Sequence, residues 1–200
     1  VFTENKVPQW KEYLKWTLLN RSTSYLTTEI ETANFDFYSK TLRGAIKQLP
    51  REETAFQVVN RSIGEALGKL YVEKVFPAEA KTKAIDMIHN VITAYQNRIN
   101  NLAWMSDATK VKAIEKLNKI TIKVGYPDKW KDYSALEIKS VAEGGSYFEN
   151  AHNLSKWNFK KGLEKLNKPV DKTEWGMSPQ TVNAYYNPSY NEIVFPAAIL

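Results

Sequence analysis

The sequence predicts a mainly α fold of the α+β class, in which a helical, bundle-like lobe is followed by a C-terminal β-hairpin. Three observations lead to this prediction. Apolar residues recur every three to four positions through most of the first 170 residues, as on one face of a helix. Segments that contain proline or paired glycines separate these periodic stretches. Near the end of the chain, two short stretches with β-branched and aromatic residues flank a segment of turn formers.

Helices are expected over most of the first 120 residues. Proline is tolerated in the first turn of a helix, so the first helix is expected to begin near Pro8. Its inward face is predicted from five residues at helical spacing, which are Trp10, Tyr13, Leu14, Thr17 and Leu18. Later helices are expected at Thr28–Leu42, from Leu49 to about Phe76, and from about Ala78 to Asn101. Ser106 is expected to cap the helix that follows.

The second part of the chain is predicted to contain strands and one more helix. Residues 120–124 alternate with period two and are β-branched, which indicates a strand. A helix is expected from Tyr147 to about Leu166, and the break at Lys168–Asp171 is the predicted boundary between residues 1–170 and residues 171–200. Strands at Thr181–Tyr186 and Glu192–Phe195, joined by five turn-forming residues, are predicted to form the hairpin.

Composition excludes several classes of protein. The absence of cysteine excludes a disulfide framework, an iron–sulfur cluster and a Cys-ligated zinc site. No apolar run approaches the roughly 20 residues that a membrane helix needs. The 28 Lys and Arg exceed the 22 Asp and Glu, giving a net charge of +6. The basic residues are interleaved with acidic ones and form no block, so we expect solvated helix faces and no nucleic-acid partner.

No catalytic residue and no metal ligand is predicted within this chain. A zinc-binding helix of the His-Glu-x-x-His type needs two histidines four positions apart, whereas the only histidines are His89 and His152. The chain has no cysteine nucleophile, no Gly-x-Ser-x-Gly sequence and no phosphate-binding loop. Both histidines are therefore expected to be ordinary helix-surface, cap or loop residues.

Asn183 is a candidate residue for binding a peptide. It lies in the middle of a predicted strand, where asparagine is disfavoured. On an edge strand, its amide could bind the backbone of an extended peptide while the strand adds to the ladder. The alternative is an asparagine that satisfies a neighbouring loop, and spacing alone leaves both interpretations open.

The C-terminal residues resemble those of a known family. The stretches Glu174–Pro188 (EWGMSPQTVNAYYNP) and Asn191–Leu200 (NEIVFPAAIL) are similar to the neprilysin and endothelin-converting-enzyme family of zinc metallopeptidases, and most of all to bacterial oligoendopeptidases of the PepO type. Earlier stretches agree with the same family, namely Leu67–Val72 with Phe76–Pro77, Trp104–Ser106 with Thr109–Lys110, and Gly125–Trp130.

The resemblance implies a zinc-dependent endopeptidase that hydrolyses oligopeptides. It implies that the Asn183 side chain holds the substrate backbone, that the Ala184 main chain accepts a hydrogen bond from it, and that Tyr185 lines the pocket before the scissile bond. It also implies that the helical lobe limits substrate size, and that residues 171–200 begin a zincin-type catalytic domain. The family's His-Glu-x-x-His helix and third ligand would follow Leu200, so zinc is expected in the full-length parent and not on this chain.

The chain is therefore expected to be an inactive fragment of the parent enzyme. It lacks an initial Met and stops within the apolar run Ile193–Leu200, so we expect the missing remainder of the polypeptide to complete its core. The alternative is a non-enzymatic helical module that binds peptides or nucleic acid. The next hundred codons discriminate between them, since the peptidase requires His-Glu-x-x-His there. The absence of cysteine favours a cytoplasmic location, although a preceding export signal is compatible with this sequence.

Overall fold

The computed structural model describes residues 6–200, and in this range it contains seven α-helices and one three-stranded sheet. The elements are α1 (Val7–Ser22), α2 (Thr28–Asn34), α3 (Arg51–Ser62), α4 (Gly64–Val75), α5 (Ala78–Asn100), α6 (Asp107–Asn118), β1 (Thr121–Gly125), α7 (Tyr147–Leu163), β2 (Tyr185–Asn187) and β3 (Glu192–Pro196). A π-helical segment, Phe35–Thr41, continues α2. The predicted mainly α class with a C-terminal hairpin is confirmed.

The chain divides into two compact units. The first holds the described residues up to Phe56 together with Ser134–Lys168, and the second holds Gln57–Tyr133 and Pro169–Leu200. The chain last passes from one unit to the other between Lys168 and Pro169, close to the predicted break. The division into domains 1–170 and 171–200 stays a prediction.

The first unit contains α1, α2 and α7. The Asn34 side chain donates to Asn20 Oδ1 at 3.1 Å, which joins α2 to α1. The rings of Tyr25 and Tyr147 meet edge to face with centroids 5.1 Å apart. On α7, Trp157 is buried. These contacts fasten the helices at separate points.

The predicted inward face of α1 is wrong in most of its residues. Tyr13, Leu14 and Leu18 are 58%, 61% and 63% exposed, whereas Trp10 and Thr17 are half-buried. Helical spacing identifies residues that share a face, but it does not say whether another element covers that face. Within the described residues, this part of α1 presents apolar side chains to solvent.

The second unit is built on the sheet, whose strand order is β1-β3-β2. β3 pairs in parallel with β1 and antiparallel with β2, so the predicted hairpin is joined by the earlier strand. Ala84 and Ile88 of α5 pack with Val124 of β1 in one buried cluster. Isoleucines of β1 and β3 pack against the same cluster, so α5 covers one face of the sheet.

A second buried cluster lies at the end of α4. Val72 and Phe76 pack with Ala197, and Tyr126 and Trp130 pack against them. Gly125 has φ +77°, and a Cβ there would lie 2.6 Å from the Phe76 ring. Only glycine meets both requirements, so the turn after β1 depends on it.

The helix predicted from Leu49 to about Phe76 is interrupted in the structure. It is divided into α3 and α4 at Ile63, which has the non-helical angles φ −127° and ψ 37°. Gln180 occupies the break, since its Nε2 donates to Asn60 Oδ1 at 2.6 Å and to the Gly64 carbonyl at 2.8 Å. The apolar residues keep their helical spacing across this break, so their periodicity could not predict that the helix is interrupted.

Candidate functional site

The candidate site lies at the edge of the sheet formed by β2. Tyr185 pairs with Val194, Tyr186 with Ile193 and Asn187 with Glu192. Within residues 6–200, no strand pairs with the other side of β2. Peptide groups along a strand edge are open to another extended chain, so this edge has the geometry that strand addition requires.

The first strand of the hairpin is shorter than predicted. The expected strand Thr181–Tyr186 begins only at Tyr185, so Asn183 and Ala184 precede β2 instead of lying within it. The backbone N–H of Asn183 donates to the backbone carbonyl of Thr181 at 3.0 Å. This hydrogen bond closes a tight local turn and does not belong to the ladder between strands. The turn is centred on residue 182, and the ladder with β3 begins only at Tyr185.

The Asn183 side chain is exposed, and its oxygen takes part in a hydrogen bond. Its Oδ1 accepts a hydrogen bond from the Ala184 backbone N–H at 2.8 Å. This contact agrees with the local alternative, in which the asparagine satisfies its own neighbourhood. The contact also fixes the side chain, and no hydrogen bond within the described residues uses its two Nδ2 donors. Both donors can therefore still bind a carbonyl group beside the strand.

Tyr185 is half-buried and is held through its hydroxyl group. Tyr185 Oη accepts a hydrogen bond from the Gly176 backbone N–H at 2.8 Å. A Cβ on residue 176 would lie 3.1 Å from the same oxygen, so glycine permits this close approach. The hydrogen bond fixes the hydroxyl end of the tyrosine side chain relative to residues 174–176, which form the loop before the hairpin.

A buried ion pair lies on the same face of the sheet as Tyr185. Lys123 of β1 and Tyr185 of β2 are both register partners of Val194, so their side chains leave the same face. Glu192 lies two residues before Val194 on β3 and shares that face. Lys123 Nζ lies 2.7 Å from Glu192 Oε2, and their side chains are only 8% and 3% exposed.

The sequence did not reveal this pair. Lys123 alternates with Ile122 and Val124, and such a pattern predicts an exposed lysine on a half-buried strand. Glu192 likewise begins a strand and resembles a solvent-facing residue. Neither residue alone indicates the ion pair, because Lys123 and Glu192 become neighbours only when β1 and β3 pair in parallel.

The described residues do not fit a zinc centre. Among residues 6–200, no group of three or more His, Cys, Asp or Glu side chains is arranged to hold a metal ion. His89 belongs to the second unit and His152 to the first. Within the same range, no helix combines the length and the apolar character that crossing a membrane needs.

Comparisons with known proteins point to one family. The profile of Peptidase family M13 matches residues 1–127. The endothelin-converting enzyme homolog of Locusta migratoria is 39% identical over 199 residues, covering 94% of this chain and 26% of that protein. The neutral endopeptidase of Lactobacillus helveticus is 37% identical over 183 residues, covering 91% of this chain and 28% of that protein.

Solved structures agree in fold and in family. The zinc metalloprotease Zmp1 of Mycobacterium tuberculosis in its open state is 43% identical with a TM-score of 0.86, covering 97% of this chain and 29% of that one. PepO from Lactobacillus rhamnosis HN001 is 27% identical with a TM-score of 0.87, covering all of this chain and 31% of that one. The chain thus spans less than a third of each of these relatives. The resemblance found in the sequence is confirmed, and this chain belongs to peptidase family M13.

Proposed function

We propose that this chain is part of a zinc-dependent metalloendopeptidase that hydrolyses oligopeptides, and that it supplies the strand that aligns the substrate. The observation that carries the proposal is the open edge of β2, with Asn183 exposed two residues before it, in a member of peptidase family M13. Family membership favours this function over a non-enzymatic helical module.

The alignment would use three adjacent residues. An extended peptide lies beside residues 183–185, and Asn183 Nδ2 donates to a substrate carbonyl. The Ala184 main chain accepts a hydrogen bond from the substrate backbone, and the Tyr185 ring lines the pocket before the scissile bond. The bond from the Ala184 N–H to Asn183 Oδ1 supports this role, because it holds the amide in one orientation before substrate arrives.

The metal chemistry is assigned to the remainder of the polypeptide. No group of three or more potential ligands within residues 6–200 is arranged for a metal ion, so the proposal places no step of the reaction on a metal held by these residues. Names of relatives such as the zinc metalloprotease Zmp1 support zinc in the full-length protein. The contribution proposed for this chain is orientation, and a misplacement of about 1 Å at a reacting group can reduce a rate roughly 100-fold.

The helical residues are proposed to cover the cleft and to pack against the missing remainder of the same polypeptide. The exposed apolar side chains of α1 and α5 support this, since large apolar patches on a protein surface are usually interaction sites. We propose the same helical lobe, residues 1–170, as the part that limits substrate size, and residues 171–200 as the beginning of the catalytic domain. A cytoplasmic location remains part of the proposal.

The test is peptide hydrolysis by the full-length protein. The purified protein should cleave fluorogenic oligopeptides internally, should lose this activity on treatment with a zinc chelator, and should regain it when zinc is restored. Folded protein substrates of matched sequence should be cleaved much more slowly. A full-length protein that carries zinc and yet cleaves no oligopeptide would contradict the proposed function.

A further inference from the structure

The loop before the hairpin is held at two points by side chains from the same face of the sheet. Lys123 Nζ donates to the Glu174 carbonyl at 2.8 Å, and the Gly176 N–H donates to Tyr185 Oη at 2.8 Å. Glu174 and Gly176 are both exposed and Trp175 between them is half-buried, so these two backbone contacts hold the exposed ends of the segment 174–176. The position of the Tyr185 hydroxyl therefore depends on a loop whose other end is held by Lys123.

The buried ion pair between Lys123 and Glu192 is not explained by the stability of the fold alone. Removing two charges from water costs several kcal/mol for each ion, and an apolar pair of similar volume often stabilises a fold as well or better. An apolar residue at position 123 could not donate to the Glu174 carbonyl. Glu192 in turn keeps the ammonium group in place, because it lies 2.7 Å from Nζ and is almost fully buried.

We infer that Lys123 and Glu192 are positioning residues for Tyr185, and that they act through residues 174–176. The inference rests on the proposed function, in which Tyr185 lines the pocket before the scissile bond. Loss of the pair releases the Glu174 carbonyl, the Gly176 N–H moves with it, and the Tyr185 side chain loses its fixed end. The pair therefore sets how strictly the enzyme selects the substrate residue that occupies this pocket.

The test compares two fluorogenic peptides that differ only in the residue before the scissile bond, one with Phe and one with Ala. The ratio of their kcat/KM values does not depend on how much of the enzyme is folded. The full-length enzyme is compared with the variants Lys123→Met/Glu192→Gln, Tyr185→Phe and all three substitutions together. The first variant leaves no buried charge unpaired and removes the donor to Glu174.

We expect the ratio to change by at least about threefold in Lys123→Met/Glu192→Gln and to a similar extent in Tyr185→Phe. We expect the triple variant to match the single effects instead of multiplying them, since residues that act through one network are not additive. Lys123→Arg, which keeps the charge and a donor, should preserve most of the ratio. The matched control is Lys112→Met/Glu115→Gln, which removes an exposed ion pair of α6 and should leave the ratio unchanged.

Two results would contradict the inference and leave the proposed function intact. If the wild-type enzyme cleaves both peptides and the buried-pair variant keeps their ratio, the inference fails and the proposed function stands. The same holds if the triple variant shows the product of the two effects. If the wild-type enzyme cleaves neither peptide, both proposals fail. Should the double variant not fold, Glu192→Gln alone, which keeps the shape of the side chain, is measured instead, and the ratio is again expected to change and is judged by the same criteria.

Discussion

The Gly176 backbone N–H donates to the Tyr185 hydroxyl at 2.8 Å, and this contact joins the loop before the hairpin to the first residue of the edge strand. An alanine at position 176 would place Cβ 3.1 Å from the Tyr185 oxygen and 3.4 Å from Cζ. Tyr185 would have to move by a few tenths of an ångström. The geometry of the proposed peptide-binding edge is thus sensitive to a single methyl group outside it.

Gly176→Ala should lower the kcat/KM of the full-length enzyme by about 3- to 10-fold, because the displaced tyrosine aligns substrate less well. Its thermal midpoint should stay close to that of the wild type, since residue 176 is exposed. Steady-state kinetics with an oligopeptide measure the first quantity, and calorimetry measures the second. Unchanged kcat/KM would show that the position of the Tyr185 ring is not important for turnover.

Gly68→Ala should destabilise the protein by about 1–3 kcal/mol, because an added Cβ would lie 2.5 Å from Pro179 Cδ in a well-packed contact. The matched control is Gly162→Ala on α7, where nothing lies within 4 Å of the added atom. The control should stabilise its helix by up to about 1 kcal/mol, the difference in helix propensity between the two residues. Equal effects of both substitutions on the unfolding free energy would contradict the close packing of α4 against Pro179.

Tyr133 should contribute to the pH dependence of stability in alkali. Burial, and secondly the negative charge of Glu65, raise the pKa of Tyr133 above its usual value of 10.0. The folded state then binds more protons than the unfolded state in the window above pH 10, so the stability that this group contributes is complete below the unfolded pKa. It is lost as the pH rises through the folded pKa.

The measurement is the free energy of unfolding between about pH 9 and about pH 12 for the wild type and for Tyr133→Phe. The wild type should lose stability more steeply than the variant above pH 10. Parallel curves would show that the phenol titrates alike in the folded and unfolded states.

Zinc binding should not depend on the histidines of this chain. His89→Ala and His152→Ala in the full-length protein should each leave the zinc content unchanged, because neither histidine belongs to a group of potential metal ligands within residues 6–200. The 200-residue chain alone should carry no stoichiometric zinc and cleave no peptide. Elemental analysis of the purified proteins measures the metal. Loss of zinc in either variant, or stoichiometric zinc on the chain alone, would contradict this assignment.

Local patterns in the sequence were sufficient for the larger elements. The helix expected at about Ala78–Asn101 is α5, Ala78–Asn100, and Ser106 caps α6 through a hydrogen bond from the Thr109 N–H. These features depend on neighbours a few positions away, and such interactions can be read from residue spacing.

Features that depend on distant residues were not predictable in the same way. The break at Ile63 is occupied by Gln180, more than a hundred positions later, and the continuous apolar stripe gave no sign of it. The resemblance identified Asn183, Ala184 and Tyr185 as candidates, but the turn before β2 and the Lys123–Glu192 pair require the folded sheet. Their partners are brought together by strand pairing, which leaves no periodic signal in the chain.

The most direct measurement of the central claim is the specificity constant of Asn183→Ala in the full-length enzyme, with Asn101→Ala at the exposed end of α5 as the control. The account predicts that kcat/KM for an oligopeptide falls by an amount equivalent to about 1–3 kcal/mol, the usual cost of losing a hydrogen-bond partner, while the control is unaffected. An Asn183→Ala enzyme with wild-type kcat/KM would leave the residue with only its local bond to Ala184 and would contradict substrate alignment by this strand.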